Sequence, residues 1–109
     1  MKFPENWTTV DKLNRLERMV LLHSIIYYQL NENILPDQKY DKITRLLARK
    51  VEQYKDTKTL QKTMYGYIFK DYTDGSTGFY LVSKLKKKDK EYLEILATHV
   101  LKQYKEQKK

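Results

Sequence analysis

Cysteine is absent from this 109-residue sequence, glycine occurs three times and proline twice. Without cysteine there is no disulfide framework, no thiol nucleophile and no thiolate metal site, which agrees with a reducing cytoplasm. No apolar run approaches the roughly 20 residues that a spanning helix needs, and the opening MKFPENWTTVDKL has no apolar core of signal-peptide length. A soluble, cytoplasmic protein without a membrane partner is the expectation. Signatures of catalysis are missing as well: there is no GxSxG, no phosphate-binding glycine loop and no HExxH. The segment DYTDGST lacks the regular carboxylate spacing and terminal Glu of a calcium loop and reads as a turn. His23 and His99 each fall in an amphipathic helical pattern, with no nucleophile or spaced ligand beside them, so a core-flanking role outweighs a catalytic one. No enzyme, no metal and no other cofactor is expected.

What the chain does contain is 40% hydrophobic and 33% charged residues, with ten tyrosines and a net charge of +8. A chain of this length supports one domain with one modest core. Few glycines and prolines favour a compact, mainly helical domain over a disordered tail. The charge is uneven: residues 1–54 hold nine Lys/Arg against seven Asp/Glu, and residues 55–109 hold thirteen against seven. Such asymmetry suits an anionic partner, although lysines also serve simply as a solvated surface.

Hydrophobic spacing predicts the order ααββα, an α+β fold. Thr8 with Asp11 resembles a capping box, and Leu13, Leu16, Val20, His23 and Tyr27 then recur on one face, widened by Met19, Leu22, Ile26 and Leu30. A first helix over about 9–30 follows. Asn31-Glu32-Asn33 breaks it, Asp37 is the expected N-cap, and Tyr40, Ile43, Leu47, Val51 and Tyr54 mark a second, antiparallel helix from about Gln38 to Tyr54. After a polar connector, MYGYIFKDY alternates Tyr65, Tyr67 and Phe69, and GFYLVSKL alternates Phe79, Leu81 and Leu85. With Asp74-Gly75 between them, these read as a β-hairpin over 63–86 packed on the helices. A C-terminal helix over 89–107, capped by Asp89, carries Tyr92 or Leu93, Leu96, Val100 and Tyr104. The whole is one domain, 1–109, with residues 1–55 as its helical pair.

The corner between the first two helices holds the most specific pattern. Tyr27-Tyr28 stands eight positions before Pro36, which is followed by Asp37, Tyr40 and Asp41. This resembles the small N-terminal helical domain, called Ia, of NAD-dependent DNA ligases, where a Tyr-His pair ends one helix and P-D-x-x-Y-D opens the next at the same separation. The resemblance covers about residues 16–55. It implies a site for nicotinamide mononucleotide or NAD in which tyrosines pack on the nicotinamide and aspartates hold ring and ribose. Carried over, the candidates are Tyr27, Asp37, Tyr40 and Asp41, with Tyr28 in place of the family histidine. The family's KxDG adenylation lysine has no counterpart in this sequence, nor do its other domains, which excludes adenyl transfer. The plainer reading is a helix corner: Asp37 as cap, Tyr40 at the start of the apolar stripe, Asp41 favoured by the helix dipole.

A second constellation lies in the C-terminal half. Lys84, Lys86, Lys87, Lys88 and Lys90 cluster after the expected hairpin, and Tyr65, Tyr67, Tyr72 and Tyr80 lie on or beside it. Lysines that neutralise phosphates beside rings that stack on bases make a single-strand platform; the same rings could instead pack on the helices. Tyrosines also favour protein interfaces. The leading expectation is a small non-catalytic binding or regulatory protein of phage or mobile-element type, acting through this surface on nucleic acid or a nucleic-acid enzyme. An inhibitor of a host defence nuclease, of the anti-CRISPR kind, is one version. The alternative is an accessory module that captures nicotinamide mononucleotide or NAD.

Overall fold

Thr8 opens the first helix, α1 (Thr9–Tyr28): its hydroxyl accepts the Asp11 N–H at 3.1 Å, while the Asp11 carboxylate accepts the Thr8 N–H at 2.9 Å. Asp is one methylene shorter than the usual Glu, yet both halves of the capping box close. The computed structural model describes residues 3–73 and 78–107. Within it α1 buries Leu13, Leu16, Val20, Leu21, Leu22, Ile25 and Ile26, a face too wide for a surface helix. It is the hub of the fold, with α2 (Asp37–Tyr54), α4 (Gly78–Ser83) and α5 (Lys87–Gln107) all packed against it.

Past α1, Asn31 takes the left-handed backbone conformation at φ 52°, which asparagine tolerates better than most residues. The Glu32 N–H bonds back to the Ile26 carbonyl at 3.1 Å and turns the chain. Helix α2 (Asp37–Tyr54) follows; Pro36, in extended backbone, holds the N-cap position, and Asp37 is the first helical residue rather than the cap. Its carboxylate there still favours the helix dipole. Leu47 and Val51 are buried, and Ile43 and Tyr54 pack at their side.

The described residues contain no strand, and the fold is all-α, not α+β. In place of the expected hairpin over 63–86 stand a 3-10 turn (Leu60–Lys62), a one-turn helix α3 (Gly66–Phe69) and a short helix α4 (Gly78–Ser83). The Asp74-Gly75 turn expected between the strands lies outside the described residues. The buried set explains the correction. Tyr65, Ile68, Phe69 and Tyr72 are buried, as are Gly78, Leu81, Val82 and Leu85. Both sets repeat as i, i+3, i+4, i+7, one face of a helix, whereas the alternating Tyr67 and Phe79 are half-buried and exposed.

Helix α5 (Lys87–Gln107) starts two residues before Asp89, so Asp89 lies in its first turn instead of capping it. Leu93 and Ala97 are buried, and Tyr92 faces solvent. No described helix is long and apolar enough to cross a membrane.

One carboxyl group is sealed inside. Glu17 shares the core-facing side of α1 with Leu13 and Val20 and is fully buried. The Tyr65 N–H donates to its Oε1 at 3.2 Å, and the Thr63 hydroxyl lies 2.8 Å from Oε2 and 2.9 Å from the Leu60 carbonyl. A hydroxyl has one hydrogen to give. If Glu17 is protonated, it donates to Thr63 and Thr63 donates to Leu60, so every group is satisfied. Burial pushes the Glu17 pKa up to about 7, against the lowering effect of the Thr63 and Tyr65 hydrogen bonds. The knot pins residues 63–65 to α1.

Candidate functional site

The end of α1, the turn after it and the first two turns of α2 enclose a cleft of about 320 Å³. Tyr27, Tyr28, Asp37, Tyr40 and Asp41 all line it, joined by His23, Ser24, Thr44 and Gly78. The helical repeat brings this about: Asp37, Tyr40, Asp41 and Thr44 sit at i, i+3, i+4 and i+7 on α2, and Ser24, Tyr27 and Tyr28 at i, i+3 and i+4 on α1. His23, Ser24 and Gly78 carried no motif. Ser24 was detectable only as a small residue on the buried face of α1.

The floor is fixed by hydrogen bonds. Ser24 Oγ is 2.6 Å from the Val20 carbonyl and 3.0 Å from the Tyr40 hydroxyl. Since Ser24 gives its hydrogen to the carbonyl, Tyr40 donates to Ser24. Burial raises the Tyr40 pKa, so the phenol stays protonated, and burial with Arg15 nearby lowers the His23 pKa, so the imidazole stays neutral near pH 7. Gly78 presses on the same spot. A Cβ there would lie 2.8 Å from Ser24 Cβ, 3.2 Å from the Tyr40 hydroxyl, and would overlap Ser24 Oγ. Only a residue without a side chain lets α4 approach so closely.

The cleft is negative within a positive protein. Glu32 lines it but pairs with Lys105 at 2.8 Å. Asp37 receives only a 3.5 Å contact from the Asn33 amide, and neither Asp37 nor Asp41 has an ion-pair partner among the described residues. The rim is aromatic: Tyr27 and Tyr28 meet edge to face at 4.9 Å, and Tyr28 meets Phe79 of α4 at 5.8 Å.

The basic constellation assembles differently from its expectation. Tyr65 and Tyr72 are core residues, 1% and 5% exposed, and a ring buried in this way offers no face to a base. Tyr67 is half-buried; its hydroxyl donates to the Asp89 carboxylate at 2.6 Å and accepts the Lys86 N–H at 3.1 Å. Burial and that carboxylate push its pKa up to about 12. Of the four rings only Tyr80 is well exposed, with the Lys84 ammonium 4.3 Å from its centroid, and Lys86 lies 4.6 Å from the Tyr67 ring. Lys84, Lys86, Lys87 and Lys88 are exposed and Lys90 is half-buried, all on the corner where α4 meets α5. The structure therefore gathers the lysines and disperses the tyrosines.

Among the described residues, no group of three or more His, Asp or Glu side chains could hold a metal ion. No protein-family model, no curated protein and no solved structure matches the chain.

Proposed function

We propose that this is a non-catalytic binding protein whose cleft takes a flat, positively charged heteroaromatic ring with its ribose, as in nicotinamide mononucleotide or that half of NAD. One observation carries the reading: Asp37 and Asp41, without cationic partners among the described residues, share a concave cleft with Tyr27, Tyr28 and Tyr40 in a protein of net charge +8. Tyrosine faces attract a cationic ring, and the aspartates add charge and hydrogen-bond acceptors for ribose hydroxyls. The resemblance of residues 16–55 to the ligase Ia domain points the same way. A volume of about 320 Å³ is at the small end of ligand clefts, suiting a mononucleotide better than a dinucleotide. The carboxylates repel phosphate, so the ring and ribose enter while the phosphate faces solvent.

Thermal shift with nicotinamide mononucleotide tests this. A ligand at a hundred times its Kd stabilises the fold by about 2.7 kcal/mol. Asp41→Ala, at an exposed position, leaves the melting temperature of the free protein unchanged and abolishes the shift. No shift with the wild type refutes the reading.

A second reading keeps nucleic acid, or an enzyme acting on it, as the partner of the α4–α5 corner. Its support is that Lys84, Lys86, Lys87, Lys88 and Lys90 have no ion-pair partner among the described residues. Replacing Lys86, Lys87 and Lys88 by alanine would weaken binding to short DNA and flatten its log–log salt dependence by about 0.7–0.9 for each phosphate that is no longer neutralised. An unchanged slope sinks it.

A further inference from the structure

We propose that Phe79 is a ring-stacking specificity residue of the cleft, contributed by the C-terminal half of the chain. The inference rests on the reading of the cleft as a site for a cationic heteroaromatic ring. Phe79 lies outside residues 16–55, so the ligase resemblance assigns it nothing.

The protein buries Phe69, Tyr65 and Tyr72, yet leaves Phe79 67% exposed on the residue next to Gly78, which lines the cleft. A single exposed phenylalanine needs no explanation. Phe79 is not single: it meets Tyr28 edge to face at 5.8 Å with the rings 69° apart, and Tyr28 meets Tyr27 at 4.9 Å and 84°. The three rings, each about half exposed or more, form a continuous aromatic row in which Tyr27 and Tyr28 line the cleft and Phe79 adjoins it. In each edge-to-face contact the edge hydrogens of one ring meet one face of the other, so the two contacts take up two of the six ring faces and leave the rest for a flat partner.

Position is fixed by the neighbour. Gly78 is held against Ser24 and the Tyr40 hydroxyl too closely to admit a Cβ, so the first turn of α4 cannot slide along α1 without breaking that close fit. Backbone packing thereby sets Phe79 beside the cleft, next to the lining residue Gly78 and against the lining residue Tyr28, with its side chain still accessible. A pyridinium ring seated between the tyrosines would meet Phe79 as a further face, and a ligand lacking a flat ring would gain nothing from it.

Calorimetric titration of the 109-residue protein with nicotinamide mononucleotide separates the possibilities. Phe79→Ala weakens binding by roughly ten-fold, in line with the removal of one stacked ring, and keeps the helical circular dichroism, with only a small fall in melting temperature from the lost contact with Tyr28. Phe79→Tyr restores affinity, whereas Phe79→Leu, which keeps apolar bulk without a π face, does not. Wild-type affinity in Phe79→Ala, or rescue by Phe79→Leu, overturns the stacking role while the cleft reading stands, provided Asp41→Asn still weakens binding. Absence of binding by the wild type overturns both.

Discussion

Replacing Glu17 by Gln should stabilise the protein above neutral pH and leave it unchanged in acid. The carboxyl is fully buried and its pKa is pushed from 4.5 to about 7. A group whose folded-state pKa is raised binds its proton more tightly when folded, so its favourable contribution is complete below pH 4.5. That contribution falls as the pH climbs from 4.5 to 7 and is gone above. A shift of this size corresponds to about 3 kcal/mol. Glutamine reproduces the protonated form: its amide donates to Thr63 Oγ1, Thr63 donates to Leu60, and the Tyr65 N–H keeps an acceptor. Urea unfolding of both proteins at pH 4, 6 and 8, followed by helical circular dichroism, reads the difference directly. Their stabilities should coincide at pH 4 and diverge progressively, with the variant ahead by up to about 3 kcal/mol at pH 8. A difference independent of pH, or a variant that is less stable at pH 8, refutes the assignment of Glu17 as a buried acid that is neutral in the relaxed fold.

Two further changes probe the packing around the sites. Gly78→Ala forces a methyl group onto Ser24 and should lower stability by about 1–3 kcal/mol, an overpacking cost seen as an earlier urea midpoint; an unchanged midpoint would show that α4 moves freely on α1. Tyr67→Phe removes the hydroxyl that bridges Asp89 and the Lys86 N–H, for an expected decrease of about 1–2 kcal/mol in the same assay, and wild-type stability would mean that water replaces the bridge.

The two opening helices were legible because several signals agreed there: the Thr8–Asp11 box, a wide apolar face, and a break marked by Asn31 and Pro36. The later segments were misread because two periods fit the same residues. In MYGYIFKDY the aromatic alternation Tyr65, Tyr67, Phe69 competes with the helical set Tyr65, Ile68, Phe69, Tyr72, and the core adopts the second. GFYLVSKL behaves alike, with Gly78, Leu81, Val82 and Leu85 facing in. Aromatic residues incline a short segment toward strand only weakly, and a central α1 needing cover on several sides overrides that inclination. At the cleft, the aspartates and tyrosines were visible as a spaced motif, but Gly78 was not, since its role depends on its close approach to Ser24, far away in sequence. Glu17 carries a trace in the sequence: it is a charged residue four after Leu13 and three before Val20, inside the apolar stripe.

Because α2, α4 and α5 all pack on α1, the molecule is built like spokes on an axle. Such an arrangement sets a hierarchy of opening. Each outer helix can detach and return while the others stay seated, whereas α1 is released only when the whole structure unfolds. Amide hydrogens of α1 from Leu16 to Ile25 should therefore exchange last and report global unfolding, and those of α2, α4 and α5 should exchange through separate, cheaper excursions. A ligand in the cleft, touching α1, α2 and α4 but not α5, would slow the first two excursions and leave the third as it was.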